Sequence, residues 1–493
     1  MYLTNLLVVL DSTIANVTVP QISGNLGASL EQGTWVITSF AVAEAITIPL
    51  TGWLAGRFGL IRSFVASTIG FTFFSMLCGL SVSLPMLVLC RVGQGLCGGP
   101  LMPLSQTIIT RIYPGSQIAR AIGWWSLTAM LGPAIGPIVG GTIADQVSWH
   151  WIFLVNVPIG IILAALGAVL LRPAETRQQR VRVDRVGMAL LVMWVAALQL
   201  MLDTGRDRDW FEDPGIVTLA IVAVIGLVAF VIWELTEPHP AVDLRLMRHR
   251  PFAMILLASG MTYGAYFAGI VVVPQWLQGT LGYSATQSGM ITALGPVCSA
   301  VASQVTLRLM LRYDARILVT VGCLWISMTF FLRTLWNTEM DAFSLGLIFA
   351  VQGFGMPLLM MPLTNMAMST VSLPETASAA GLTSFVRTIS SAITTTLTLT
   401  YWINGQAVSR AELAPALHID ETAGVLARAG LPDGAGAAYI GSLVDRQATT
   451  VAMDQTFVVA ALAMLIAAAM IWMVPRIELT RLKGTQGRHS DLE

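Results

Sequence analysis

Apolar runs of about 20 residues, one after another, decide what this chain can fold into. A bilayer core is crossed by about 20 mostly apolar residues in a helix, or by shorter strands in a closed barrel, because lipid offers no partner to backbone N–H and C=O groups. The runs here are too long and unbroken for barrel strands, so the sequence predicts an all-α integral membrane protein. They fall near 1–20, 33–55, 62–83, 85–110, 118–144 and 150–171, then near 186–203 and 215–234, then near 251–277, 285–307, 316–336, 342–367, 376–402 and 451–474. The count is about 14 transmembrane helices in a six-two-six order. Residues 1–172 would form an N-terminal six-helix bundle, 173–250 two additional helices with flanking loops, and 251–493 a C-terminal six-helix bundle with a long external loop near 403–450. Composition agrees: 55% of residues are hydrophobic and 11% charged, against roughly 25% charged in an average soluble domain.

Charge placement sets the orientation. Arg57 and Arg62, Arg111 and Arg120, then Arg172, Arg177, Arg180, Arg182 and Arg185, then Arg245, Arg248 and Arg250, then Arg308, Arg312 and Arg316 collect in alternate loops, which the positive-inside rule assigns to the cytoplasm. The tail with Arg476, Arg481, Lys483 and Arg488 falls on the same side, so both termini are expected there. The formal net charge is zero and no basic block is present, so nucleic acid is not an expected partner. The five cysteines lie in apolar runs without disulfide or metal spacing, and the five histidines lie at span ends, loops or tails. That leaves no metal site and no constellation for an enzyme. The first run has neither a charged leader nor a cleavage site, so it is not read as a signal peptide, and the natural start is expected upstream.

Against this background Asp11, in LLVVLDSTIANVTVP, is the most informative residue. An ionised aspartate at the centre of a spanning helix costs roughly 2.5–3.5 kcal/mol on insertion scales, so such residues face an interior and have a partner. Asp11 is a candidate proton carrier; the alternative is a carboxylate that only ties helices together by hydrogen bonds. Its candidate partner is Arg91, in LCRVGQGLCGGPLMP, which keeps its proton and needs an acceptor unless it snorkels to an interface. Gln94 adds a polar contact one turn on, and the neighbouring glycines allow close helix approach. In the fifth run, LGPAIGPIVGG places Gly132, Gly136 and Gly140 on one helix stripe, with Gly141 beside it. Pro133 and Pro137 weaken the hydrogen-bond ladder of the same helix, which suits either a structural kink or a rocking seam.

Taken in order, LDSTIANVTVP, QGTWVITSFAVAEAITIPLTGWLAGRFG, LCRVGQG, LGPAIGPIVGG, WHWIFLVNVPIG, DLRLMRHRPF and SFVRT resemble the 14-span drug/proton antiporters of the major facilitator superfamily, and within them the inner-membrane permeases of the EmrAB type. The resemblance covers essentially the whole chain. It implies the major facilitator fold: two six-helix bundles around a central cavity, alternating between two openings. It also implies proton-coupled efflux of varied hydrophobic or amphiphilic drugs across the bacterial inner membrane, with consequences for antibiotic resistance. No cofactor is implied, since the proton motive force drives the cycle. The implied partners are small-molecule drugs, protons and the lipid bilayer, with a periplasmic adaptor (a membrane fusion protein) and an outer-membrane channel completing a tripartite pump. A superfamily transporter of one specific metabolite, exporter or importer, is the alternative. By the same resemblance Asp11 and Arg91 take part in proton coupling, Gly132, Pro133, Gly136, Pro137, Gly140 and Gly141 form the antiporter motif and hinge, and Gly52, Arg57, Gly59 and Arg62 form a gating loop.

Three departures qualify this expectation. The superfamily loop has an acidic residue where Gly56 stands in GWLAGRFGLIR, so a charge-pair contact is expected to be missing. Glu44, in the second run, is an extra carboxylate, either a second proton site, a cation-selecting group or a protonated structural residue. In SFVRTISSAITTT, Ser390 and Ser391 replace the glycines expected there. Candidate cavity residues are Gln94, Arg387, Tyr263, Tyr266, Gln275, Trp276 and Met356, because aromatics and methionines make adaptable apolar walls. Residues 403–450 have helix-forming composition and are a candidate adaptor-docking segment.

Overall fold

A computed structural model describes residues 1–176, 178, 183–310, 312–416 and 435–474. Arg177, Arg180, Arg182, His418, the 417–434 segment and the tail arginines and Lys483 lie outside the described residues, as do the side chains of Pro133 and Pro137. The described residues are mostly helical with no strand among them, and ten helices are long and apolar enough to cross a membrane. Four further helical stretches (Tyr2–Asn25, 84–112, Gly115–Gln146 and Thr376–Ala416) stand among them, and the set fits fourteen spans.

The first six spans are Tyr2–Asn25; Leu30–Thr47 with Thr51–Phe58; Leu60–Gly79; Leu84–Gly98 with Leu101–Ile112; Gly115–Gln146; and Trp151–Leu154 with Asn156–Leu170. The second starts with a reciprocal cap, in which Ser29 accepts from the Gln32 N–H and the Gln32 side chain accepts from the Ser29 N–H. It tightens into a 3-10 turn at Ile48–Leu50, where Pro49 donates no backbone hydrogen bond. The fourth breaks at Gly99–Pro100 for the same reason. Arg185–Thr204 and Pro214–Thr236 are the seventh and eighth spans. Trp194 of the seventh meets Phe230 of the eighth and the edge of Phe385 in the thirteenth, and the seventh also packs along the second span, so the extra pair touches both bundles.

The second bundle comprises Arg250–Gly279, Ala285–Met310, Ala315–Arg333, Ala342–Ser369, Thr376–Ala416 and Ala435–Met470, the ninth to fourteenth spans. The last two run well beyond the expected ends, which corrects the reading of 403–450 as one long loop. Residues 403–416 and 435–450 are helical, joined by Arg410 Nε to Asp445 Oδ1 at 3.0 Å, by Trp402 Nε1 donating to the Thr449 carbonyl at 3.2 Å, and by Gly405 packed on Ala452. They form a helical hairpin standing out from the bundle.

The halves repeat one another in detail. VTVPQ (17–21) leads to LGAS (26–29), and VVVPQ (271–275) leads to LGYS (281–284). Gly27 and Gly282 both take positive φ, +64° and +74°, a conformation cheap only for glycine. Ser284 and Gln287 then exchange the same pair of hydrogen bonds as Ser29 and Gln32. In this register Asp11 corresponds to Ala265. Likewise VGQG (92–95) matches AVQG (350–353), so Gln94 corresponds to Gln352 and Arg91 to Phe349.

Candidate functional site

Asp11 and Arg91, 80 residues apart in the chain, meet in the core of the first bundle. Arg91 Nη1 lies 2.6 Å from Asp11 Oδ2, with the two side chains 1% and 0% exposed. Gln94 Nε2 and Asn156 Nδ2 both donate to Asp11 Oδ1, at 2.9 and 2.6 Å. Arg91 also donates to Gln94 Oε1 at 2.9 Å and, through Nε, to the Val36 carbonyl at 3.0 Å, with its guanidinium 4.1 Å from the Phe40 ring. Asn156 continues to Ser75 Oγ at 3.1 Å. Asp11 thus ties the first span directly to the fourth and sixth, and Arg91 and Asn156 extend the network to the second and third. Its three hydrogen-bond partners are all side-chain donors, which suit a carboxylate acceptor.

The glycine stripe of the fifth span packs on the span that carries Asp11. Gly132 lies against Val9, Gly136 against Thr13 and Gly140 against Ile14, where a Cβ would come within 2.9 Å of the Ile14 side chain. Gly141 is looser and faces Thr286 of the tenth span. Pro133 and Pro137 lie within the unbroken helix Gly115–Gln146. In the second bundle the small residues missing from the thirteenth span are supplied by its neighbour: Gly260 lies against Ser390 and Gly264 against Thr394.

A cavity of about 490 Å³ lies between the bundles. The first bundle lends it Val9, Glu44, Met102 and Trp125, and the second Tyr263, Tyr266, Phe267, Met356, Met360 and Arg387. Glu44 is half-buried, and Gly95 and Gly99 of the fourth span let its backbone approach closely. Arg387 is 6% exposed; its Nη2 donates to Thr364 Oγ1 at 2.8 Å, its guanidinium lies 4.7 Å from the Tyr263 ring, and its Nε has no partner. Four of the seven expected cavity residues therefore line it. Gln94 belongs to the Asp11 cluster instead. Gln275 points outward, and Trp276 is fully buried in the second bundle, stacked on Trp336 and donating to Thr450 Oγ1 at 3.1 Å.

The second bundle holds a site the sequence reading missed. Arg333 is fully buried, donating to the Gly269 carbonyl at 2.6 Å and to Gln352 Oε1 at 2.5 Å, with the Phe349 ring at 4.3 Å. Among the described residues no carboxylate pairs with it. Gln352 lines the cavity, and its Nε2 has no partner. Asn156 was also missed; it lies within WHWIFLVNVPIG, but a neutral amide there carries no charge signal.

At the arginine-rich end the bundles touch. Gly52 sits against Ser378, and Gly381 against Thr51 and the Ile48 carbonyl. Arg57 lies 5.7 Å from both the Trp53 and Phe58 rings. Gly59 has φ +93°, and the exposed Arg62 lies 3.9 Å from Glu175.

The Major Facilitator Superfamily profile matches residues 1–395. The chain is 43% identical over 411 residues to the Multidrug export protein EmrB of Escherichia coli (strain K12), covering 83% of this chain and 80% of that protein. It is 39% identical over 472 residues to EmrB of Haemophilus influenzae (94% and 92% covered) and 36% identical over 470 residues to the Fatty acid resistance protein FarB of Neisseria gonorrhoeae (94% and 93%). Among solved structures, the proton:xylose symporter XylE superposes with a TM-score of 0.60 at 15% identity, covering 99% of this chain and 97% of that one. The human organic anion transporter MFSD10 gives 0.59 at 13% identity, with 95% and 98% covered. These two establish the fold. The chain belongs to the Major Facilitator Superfamily, as a multi-pass secondary transporter and not an enzyme.

Proposed function

We propose that this drug-efflux transporter couples export to proton entry through Asp11. The observation that carries the reading is the clasp: a buried carboxylate, met by three side-chain donors, at the centre of a network that joins five spans beside a cavity formed by both bundles. A proton on Asp11 puts an O–H where a donor now points, so one hydrogen bond must be released. Proton binding and helix rearrangement then become one event, and the conformation that favours the neutral acid is populated by protonation. The gradient supplies about 2.3 kcal/mol per proton for each 100 mV. Glu44 faces the cavity and is the second candidate for a proton or a cationic group.

The substrate walls are aromatic and methionine-rich, suited to varied amphiphiles. The unpartnered Arg387 Nε and Gln352 Nε2 favour a hydrogen-bond acceptor or an anionic group on the second-bundle side. We place the arginine-rich end in the cytoplasm of a bacterial inner membrane. The helical hairpin, with Val408 and Tyr439 exposed, is then periplasmic and docks an adaptor leading to an outer-membrane channel.

Proton flux in everted vesicles tests the reading. With a gradient established and candidate drugs added, the native protein is expected to dissipate it and Asp11→Asn is not. Equal dissipation by both would move the proton site away from Asp11, with Glu44→Gln the next variant.

A further inference from the structure

The corner between the second and third spans lacks the acid expected at Gly56, and yet it is held. The third span begins at Leu60 directly after Gly59, which has no side chain with which to cap it. Its first N–H groups are instead taken from 113 or more residues away. Thr176 Oγ1 accepts from Leu60 N, Glu175 Oε1 from Ile61 N and Glu175 Oε2 from Arg62 N, each at 3.0 Å. Gln178 Nε2 donates to the Phe58 carbonyl at 3.0 Å, closing the strap on the other side of the turn. A Cβ at Gly59 would stand 2.6 Å from Glu175 Oε1, so both the backbone angle and the carboxylate require glycine there. A carboxylate bridging two N–H groups at a helix start is favoured by charge-assisted hydrogen bonding and by the helix dipole. The 3.9 Å approach of Arg62, 70% exposed, adds little.

The strapped corner is also where the bundles meet. Gly52, about two turns before it, packs on Ser378 at the start of the thirteenth span, and Ala55 and Ala377 are buried in one apolar cluster there. Gly56 and Glu175 line the same recess at this end, about 640 Å³ in volume.

We propose that Glu175 is a positioning residue for the gate: it does for the second-to-third-span corner what an acid at position 56 would do, and holds that corner against the thirteenth span when this end is closed. The assignment needs alternating access and does not depend on Asp11 as the proton site. Glu175, Thr176 and Gln178 precede the two additional helices in the chain and move with the gate.

The test measures closure of this end in the full-length protein. An Ala55→Cys/Ala377→Cys pair is cross-linked with a short dithiol reagent, alone and with Glu175→Ala, Glu175→Gln or Glu175→Ala/Gly56→Asp. Glu175→Ala is expected to lower the cross-linked fraction roughly two-fold or more. Glu175→Gln, which keeps one acceptor oxygen, should fall between, and Gly56→Asp should recover part of the loss. Only protein that elutes as a single detergent-solubilised species is scored, so misfolding does not enter the ratio. An unchanged fraction in both Glu175 variants overturns the proposal, as does loss of proton–drug coupling with closure intact.

Discussion

Each bundle buries an arginine, and the two arginines live differently. Arg91 and Arg333 both lie against a phenylalanine ring, both donate to a glutamine and both reach a backbone carbonyl of another span. Arg91 has Asp11 in addition. At the corresponding place in the second bundle stands Ala265, and Arg333 leans on neutral acceptors alone. The first bundle therefore carries a charge that a proton can cancel, and the second carries one that no proton in its cluster can cancel. Two halves built on one plan thus differ in whether their buried arginine meets a carboxylate.

Removing the cations should break this comparison most clearly. Arg91→Met leaves a buried carboxylate without its counter-ion, a loss of about 3–5 kcal/mol. Arg333→Met leaves only neutral acceptors, about 1–3 kcal/mol. Thermal unfolding in detergent distinguishes them, with the larger loss expected for Arg91→Met. Equal losses would mean that the two sites are alike.

The helix seams give a smaller effect. Gly136→Ala drives a methyl into Thr13, two residues from Asp11, and should cost about 1–3 kcal/mol together with efflux. Thr13→Ala in the same chain should recover much of it. Gly264→Ala against Thr394 should cost similar stability and disturb proton flux less.

The smallest effect is expected where the reading of the sequence placed cavity residues wrongly. Trp276→Phe gives up one hydrogen bond, about 0.5–1.5 kcal/mol, and Gln275→Ala close to nothing. Neither should alter drug selectivity in a growth-inhibition panel, whereas Tyr263→Ala and Met356→Ala should.

What the sequence made legible follows the same physics. Spans and the Asp11–Arg91 pair stood out because charge in an apolar run is costly and therefore informative. Arg333 closes its span, where an arginine is expected to snorkel, and only packing reveals that it turns inward. Gln275 and Trp276 were read with Tyr263 and Tyr266 as one aromatic stretch. On a helix, though, Tyr263, Tyr266, Phe267 and Pro274 share a face, and the next two residues turn about 100° and 200° away from it. The helical composition of 403–450 was visible, but its continuity with the flanking spans was not, since the polar segments that leave the bilayer resemble a loop in hydropathy.

The hairpin makes the thirteenth span a lever. Residues 403–416 extend it by about 20 Å at 1.5 Å per residue, and at its other end Ser378 packs on Gly52 of the second span. A domain rotation on the order of 15° would carry residue 416 about 5 Å farther than the span's end at 402. Whatever rests on that tip would feel each turn of the transport cycle as a stroke.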